Sequence, residues 1–426
     1  MTVGTVGGRV KSVRHPSAPG RQVREGNARA VLAVAWSRPL VTASDVMHVT
    51  GLSRGSVHDL CDELIRSGWL HEVMAGPTSP KQAAGRPARR YALAERAGLL
   101  VGVEAGLGEV GAVVTDLRGT RLAQAGRPVG GSLDGEVRLA AVRAVVAEAL
   151  AACGSTPSQV LCQVVGVPAP VDSTGRTVFR GNPFWEGMNP HLVDRLADGG
   201  GTVVVDNVVN LAAVAEQARG HARGVSDHVT LHVDEGMGAA VVLEGRLLRG
   251  AHGGAGELRF LDHVEGVGSP DGVAVHAVQE ARALLGRPHR PSVLDEVPPT
   301  GLSAAGVLVA ARDGDPLALL VEAAVARRLS RVVSVLVTVF DPALVVLTGH
   351  LAVHCGRLRD AVLLDLSRSH EPPLPRVEVS ALGDDLVTAG AVDRAVAWVR
   401  ENSTGITLPG HLAAHAEPQA AGGVSS

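Results

Sequence analysis

Aromatic side chains are scarce in this 426-residue sequence: four Phe, four Trp and one Tyr make up 2% of it. Lysine is scarcer still, with only Lys11 and Lys81. The four cysteines (Cys61, Cys153, Cys162, Cys355) are scattered, with no pair at metal-ligand spacing. That excludes a disulfide scaffold and a Cys-x-x-Cys metal site, and the expectation is four reduced thiols in a cytoplasmic protein with no metal. No apolar run approaches the ~18 residues of a membrane helix; Val332–Phe340 is stopped by Asp341-Pro342. Met1–Gln22 lacks an apolar core and is not a signal peptide. No membrane partner is expected.

The net charge is also small, −3, which taken alone speaks against a nucleic-acid partner. The average hides a split. Residues 1–98 hold 14 Lys+Arg against 7 Asp+Glu, and the remainder holds 26 against 36. A basic module is joined to an acidic one, an asymmetry that points to a polyanion partner for the first.

The segment 1–26 is rich in Gly, Pro, Ser and Arg without periodicity and reads as a disordered basic arm. The segment 27–97 carries three helical signals. Asn27–Ser37 is a run of helix formers. Thr42 with Asp45 three positions on makes a variant capping box for a second helix, which Gly51 breaks. Ser53 caps a third, whose apolar residues Val57, Leu60, Cys61, Leu64 and Ile65 recur at 3.6 spacing before Gly68 ends it. Leu70–Val73 and Arg90–Leu93 read as short strands around a polar loop, completing a winged helix-turn-helix. From residue 98 to about 400, strand-like runs alternate with helices, the pattern of an α/β domain. The segment 401–426 returns to Gly, Pro, Ala and Ser and reads as a disordered tail.

In a helix-turn-helix protein the first residues of the second helix of the motif meet base edges in the major groove. Here those are Arg54, Ser56 and His58. Arginine can bond guanine bidentately, whereas Ser53 and Ser56 suit phosphates near a helix N-terminus. The loop adds Lys81 and Gly85-Arg86-Pro87-Ala88-Arg89-Arg90. Glycine allows close approach and proline stiffens the chain, so Arg86 is suited to a narrow minor groove, and Lys81, Arg89 and Arg90 are further expected DNA contacts. A small helical bundle with a solvated basic face is the bland alternative; turn, cap, wing and charge together favour double-stranded DNA.

The stretch TGLSRGSVHDLCDELIRSGWLHE followed by GRPARRYAL resembles the DNA-binding domain of repressors in the ROK family (repressor, open reading frame, kinase). The segments LLVGVEAGLGEVGAVVTDLRG, VVGVPAPVDSTG, GNPFW, VVVDNVVNLAAVAE, EGRLLRGAHGGAGE and FDPALVVLTGHLA follow in that family's order over about residues 27–400. The resemblance implies an N-terminal winged helix-turn-helix and a two-lobed, actin-like, sugar-kinase-like α/β domain of the RNase H-like type. It also implies a homodimer or homotetramer whose paired heads meet the half-sites of a palindromic operator.

Against the family's kinase pattern the sequence departs in three places. The first phosphate loop, D-x-G-x-T, reads Glu104-Ala105-Gly106-Leu107-Gly108, and the second, Gly-Thr-Gly, reads Asp234-Glu235-Gly236. Carboxylates beside a polyphosphate repel it by roughly 4 kcal/mol at an effective dielectric near 20. The family's catalytic Asp follows an Asn; here Val208 follows Asn207, and valine accepts no proton. The family's zinc site has a His after Gly-Glu and then three cysteines; here Phe260 stands for the His and no Cys follows until Cys355. The expectation is a regulator without catalysis and without a cofactor. A kinase that also binds DNA is the alternative, and a DNA-binding scaffold with no effector is a third.

The resemblance also places Asn182, Asn207 and Glu257 where family members bond sugar hydroxyls. An Asn supplies donor and acceptor, which suits a hydroxyl. Four of the nine aromatics, Phe179, Phe184, Trp185 and Phe260, lie near them in the motifs. Either these rings line a pocket for a sugar or other small effector, or they fill core space.

Overall fold

The computed structural model describes residues 18–74, 88–178, 181–199 and 201–409. The described residues fall into two units, those of 18–97 with 399–409, and those of 98–398.

The first unit contains helices α1 (Ala18–Ser37), α2 (Ala43–Thr50) and α3 (Arg54–Arg66) and strands β1 (Val41–Thr42), β2 (Leu70–Val73) and β3 (Arg90–Leu93). The strands form an antiparallel sheet of order β1-β3-β2. Local chemistry sets each boundary. The Thr42 and Asp45 side chains bond each other's backbone N–H at the start of α2, which satisfies donors a helix end would leave bare. Gly51, at φ +71°, ends α2. Ser53 accepts from the Ser56 N–H at 3.2 Å at the start of α3. The apolar stripe Val57, Leu60, Cys61 and Leu64 is buried, together with Val31, Leu32 and Val46 from the other helices and Tyr91 and Leu93 from the sheet.

Two boundaries differ from expectation. Helix α1 begins at Ala18, inside the segment read as an arm, because Pro19 and Gly20 sit in its first turn, where proline is tolerated. At the other end the ordered chain runs past residue 401. Ser403 and Leu408 are buried within this unit, Leu408 lies against Gly68, and the Arg400 guanidinium is 6.0 Å from the Trp36 ring centre. Trp36 in turn packs against Trp69 at 5.8 Å.

The second unit repeats one sheet plan twice. Strands β4 (Leu99–Ala105), β5 (Glu109–Thr115), β6 (Arg121–Pro128), β7 (Val160–Val167) and β8 (Thr202–Asn207) lie in the order β6-β5-β4-β7-β8. Strands β9 (His228–His232), β10 (Gly238–Leu243), β11 (Arg246–Leu247), β12 (Leu344–Thr348) and β13 (Arg376–Val379) lie in the order β11-β10-β9-β12-β13. In each half the first three strands are antiparallel neighbours and the last two add in parallel. Helices α4 (Gly135–Ala152), α5 (Pro183–Met188), α6 (Leu192–Arg195) and α7 (Val208–Arg219) belong to the first half. Helices α8 (Val273–Leu285), α9 (Ala304–Arg312), α10 (Pro316–Phe340) and α11 (Gly356–Ser369) belong to the second, and α12 (Leu386–Asn402) closes the unit. The strands β4, β7, β9 and β12 are almost wholly buried, and β7 and β12 read as near-continuous apolar runs, as interior strands covered on both faces should. Close approaches of α7 and α12 depend on glycine: a Cβ on Gly390 would lie 1.9 Å from the Leu211 carbonyl oxygen. Among the described residues no helix is long and apolar enough to cross a membrane.

Candidate functional sites

In the first unit, Ser53, Arg54 and Ser56 are exposed at the N-terminal end of α3. Their backbone and hydroxyl groups are tied together by the Ser53 cap, and the two hydroxyls lie 2.9 Å apart. His58, one turn on, is half-buried, and its Nδ1 lies 3.1 Å from the hydroxyl of the fully buried Tyr91. Arg89, expected among the DNA contacts, is engaged within its own unit. It donates to Asp62 on α3 at 2.8 Å and to Glu72 on β2 at 3.0 Å, and its guanidinium is 5.2 Å from the Tyr91 ring centre. Arg89 thereby holds the Asp62 carboxyl below the usual carboxylate range. Arg90 is exposed on β3. Lys81 and Arg86 lie outside the described residues.

In the second unit, Asn207 ends β8 and caps α7. Its Oδ1 accepts from the Val209 N–H at 2.9 Å and its Nδ2 donates to Glu257 at 3.3 Å. Two of the three expected effector residues are therefore joined, one from each half. Burial pushes the Glu257 carboxyl up to about 7, against the opposing pull of the Asn207 amide. Beneath them Asp206 is buried and accepts from Asn210 at 2.9 Å and from Arg249 at 2.8 and 2.6 Å. Asn182, the third, caps α5 by accepting from the Trp185 N–H at 3.3 Å. Among the described residues it bonds neither Asn207 nor Glu257. Phe184 and Trp185 pack on the core of the first half, and Arg259 stands 5.6 Å from the Trp185 ring centre. Phe179 and the side chain of Phe260 lie outside the description. Val208 is buried beside Asn207.

The turns at Ala105-Gly106 and Asp234-Glu235-Gly236, which the resemblance marks as phosphate loops, bond groups of the chain itself. Arg138, buried at the start of α4, donates to the carbonyl oxygens of Ala105 and Gly106 at 2.7 and 2.8 Å. Next to this turn, burial pushes the Glu104 carboxyl up to about 7, helped by Asp234 and opposed by His350. Asp234 is buried and accepts from the backbone N–H groups of His350 and Leu351. His350 Nδ1 is 2.9 Å from Asp384. In the segment after Glu257, Arg328 on α10 donates to the carbonyl oxygens of Val267 and Ser269, and His276 bonds Ser269. Among the described residues no three His, Cys, Asp or Glu side chains are grouped to hold a metal. A cavity of about 540 Å³ lies elsewhere, between α9 and the turn at Val293–Val297.

Sequence reasoning missed the roles of Arg89, Arg138, Arg249 and Arg328. Each arginine meets its partner through the fold, and no local pattern announces it.

Comparison with known proteins adds the family. The ROK family model matches residues 100–396. The chain belongs to the ROK family. It is 24% identical over 393 residues to a protein named xylose repressor from Caldicellulosiruptor bescii, covering 87% of this chain and 95% of that one. Its fold is similar to that of a solved ROK family transcriptional regulator described as a homolog of the E. coli MLC protein (TM-score 0.72, 21% identity, 91% of this chain and 99% of that one). It is also similar to that of a ROK family glucokinase from Streptomyces griseus solved with glucose and AMPPNP (TM-score 0.57, 24% identity, 70% and 99%). The glucokinase spans less of this chain than the regulator does.

Proposed function

We propose that this ROK protein is a sequence-specific transcriptional repressor whose kinase-like unit senses a small effector and does not catalyse. The observation that carries the reading is the capped helix α3, presented in a winged helix-turn-helix ahead of a ROK domain. Ser53, Arg54, Ser56, His58 and Arg90, with Lys81 and Arg86 from the loop, are the proposed DNA contacts. A homodimer or homotetramer would set two such heads on a palindromic operator. The joined pair Asn207 and Glu257 is the proposed effector contact, and a sugar suits its mixed donors and acceptors. Effector binding shifts the balance between states that fit the operator and states that do not.

The absence of turnover is supported by Val208 at the place of the general base and by Asp234 on the backbone donors of His350 and Leu351. The kinase alternative draws on the shared fold with the glucokinase. Gel-shift of the purified protein on its own promoter region tests the main reading: salt-sensitive, sequence-selective binding is expected, and its absence overturns it. Coupled ADP-release assays over a sugar panel test the alternative, with no turnover expected.

A further inference from the structure

Tyr91 has no exposed surface, and among the described residues its hydroxyl makes one hydrogen bond, to His58 Nδ1 at 3.1 Å. Two arrangements are possible for that bond. If Nδ1 carried the proton and donated, the Tyr91 O–H would be left buried without an acceptor, which proteins avoid. If the phenol donates, Nδ1 is the acceptor and the neutral imidazole carries its proton on Nε2. The phenol is held in its protonated form by burial. The aromatic ring that carries it is clamped in turn: Arg89 lies 5.2 Å over its face while bonding Asp62 and Glu72. The orientation of His58 on α3 is thus fixed from below, by β3.

We propose that Tyr91 locks His58 in the Nε2–H tautomer, so that His58 donates to N7 of a purine in the major groove and favours a purine at one position of each half-site. The inference rests on the reading of α3 as a recognition helix. Its chemistry is narrower. A ring nitrogen fixed as a donor suits the groove's acceptors (purine N7, guanine O6, thymine O4) and rejects the amino groups of cytosine N4 and adenine N6; N7, present on either purine, is the acceptor assigned to His58. His58 is then the base-reading residue and Tyr91 a positioning residue that touches no DNA.

The test uses the full-length protein. Wild type, His58→Ala and Tyr91→Phe each select from a randomised duplex library. Both variants are expected to lose preference at the same purine of each half-site and to keep it elsewhere. In the wild-type site, replacing that purine by its 7-deaza analogue should weaken wild-type binding roughly tenfold and leave His58→Ala indifferent. Selection by wild type with an unchanged pattern in Tyr91→Phe, or the same sensitivity to the 7-deaza base in His58→Ala, overturns the inference and leaves the regulator standing. Selection of no sequence by wild type overturns both. Should Tyr91→Phe fail to fold, long-range ¹⁵N–¹H spectra of histidine-labelled wild type, assigned with His58→Ala, decide the tautomer. A proton on Nδ1 of His58 overturns the proposal.

Discussion

The Asp234 carboxylate bridges two backbone N–H groups, accepting from His350 at 2.8 Å through Oδ2 and from Leu351 at 2.9 Å through Oδ1. A single buried side chain thereby ties the loop after β9 to the loop after β12. Gly349, at φ +116°, makes room: a Cβ there would lie 2.5 Å from Oδ1. Asp234→Asn keeps one acceptor and turns an NH₂ toward the other N–H. The expected loss is about 2–3 kcal/mol, since a bond to a charged acceptor is replaced by two facing donors. Differential scanning calorimetry should show the larger unit melting several degrees lower, and Gly349→Ala should do at least as much harm.

The pH dependence of stability has contributions of opposite sign. His228 is fully buried, neither of its ring nitrogens has a hydrogen-bond partner among the described residues, and burial lowers its pKa to about 4. The unfolded chain therefore takes up a proton first. The stability held by the neutral ring is present above pH 6.5 and lost as pH falls toward 4, by about 3 kcal/mol. His228→Met should stabilise the protein more at pH 5 than at pH 8, as measured by urea titration at both values.

Glu257 works the other way. Its carboxyl is raised to about 7, so its contribution is full below pH 4.5 and is lost as pH rises through 7. Glu257→Gln keeps a partner for Asn207 and removes the ionisation. Thermal melts across pH 5–8 should flatten, with a gain on the order of 2 kcal/mol at pH 8.

Arg89 is one-third exposed, and its pairs with Asp62 and Glu72 contribute modestly to stability. Arg89→Met should cost only about 0.5–1 kcal/mol in thermal stability. Its effect on DNA affinity should be larger, because two carboxylates lose their counter-charge near the phosphates. The defect should shrink between 50 and 200 mM salt in fluorescence anisotropy, as screening predicts.

Leu408 is 2% exposed although it lies past α12. Leu408→Ala should destabilise the first unit by about 2–4 kcal/mol through the cavity it leaves. Operator binding should fall with it, while ligand-induced changes in the melting of the second unit should persist. Equal loss in both units would refute the assignment of residues 399–409 to the head.

The head was legible in the sequence because its signals are local. Thr42 with Asp45, Gly51 and Ser53 each determine a boundary within four residues, and the apolar stripe of α3 needs no distant partner to be seen. The joining of Asn207 to Glu257 was legible only through family motifs, since fifty residues separate them. Asn182 shows the limit of that route: the motif marks the position, but the fold gives its side-chain oxygen to the cap of α5. The buried arginines could not be read at all. Arg138 and Arg328 satisfy carbonyl oxygens far along the chain, and in the sequence they are indistinguishable from solvated charges. Strand β6 was missed because it lies at a sheet edge, is largely exposed and carries little apolar alternation.

Residues 399–409 belong to the same unit as residues 18–97, which has a consequence for biosynthesis. A ribosome emits α3 early, but the segment that completes the unit's hydrophobic core emerges only after the entire ROK domain has been translated. A product cut short by a premature stop codon therefore lacks Ser403 and Leu408, two buried members of that unit. The first unit thus reaches its full set of buried side chains only when synthesis of the second is complete.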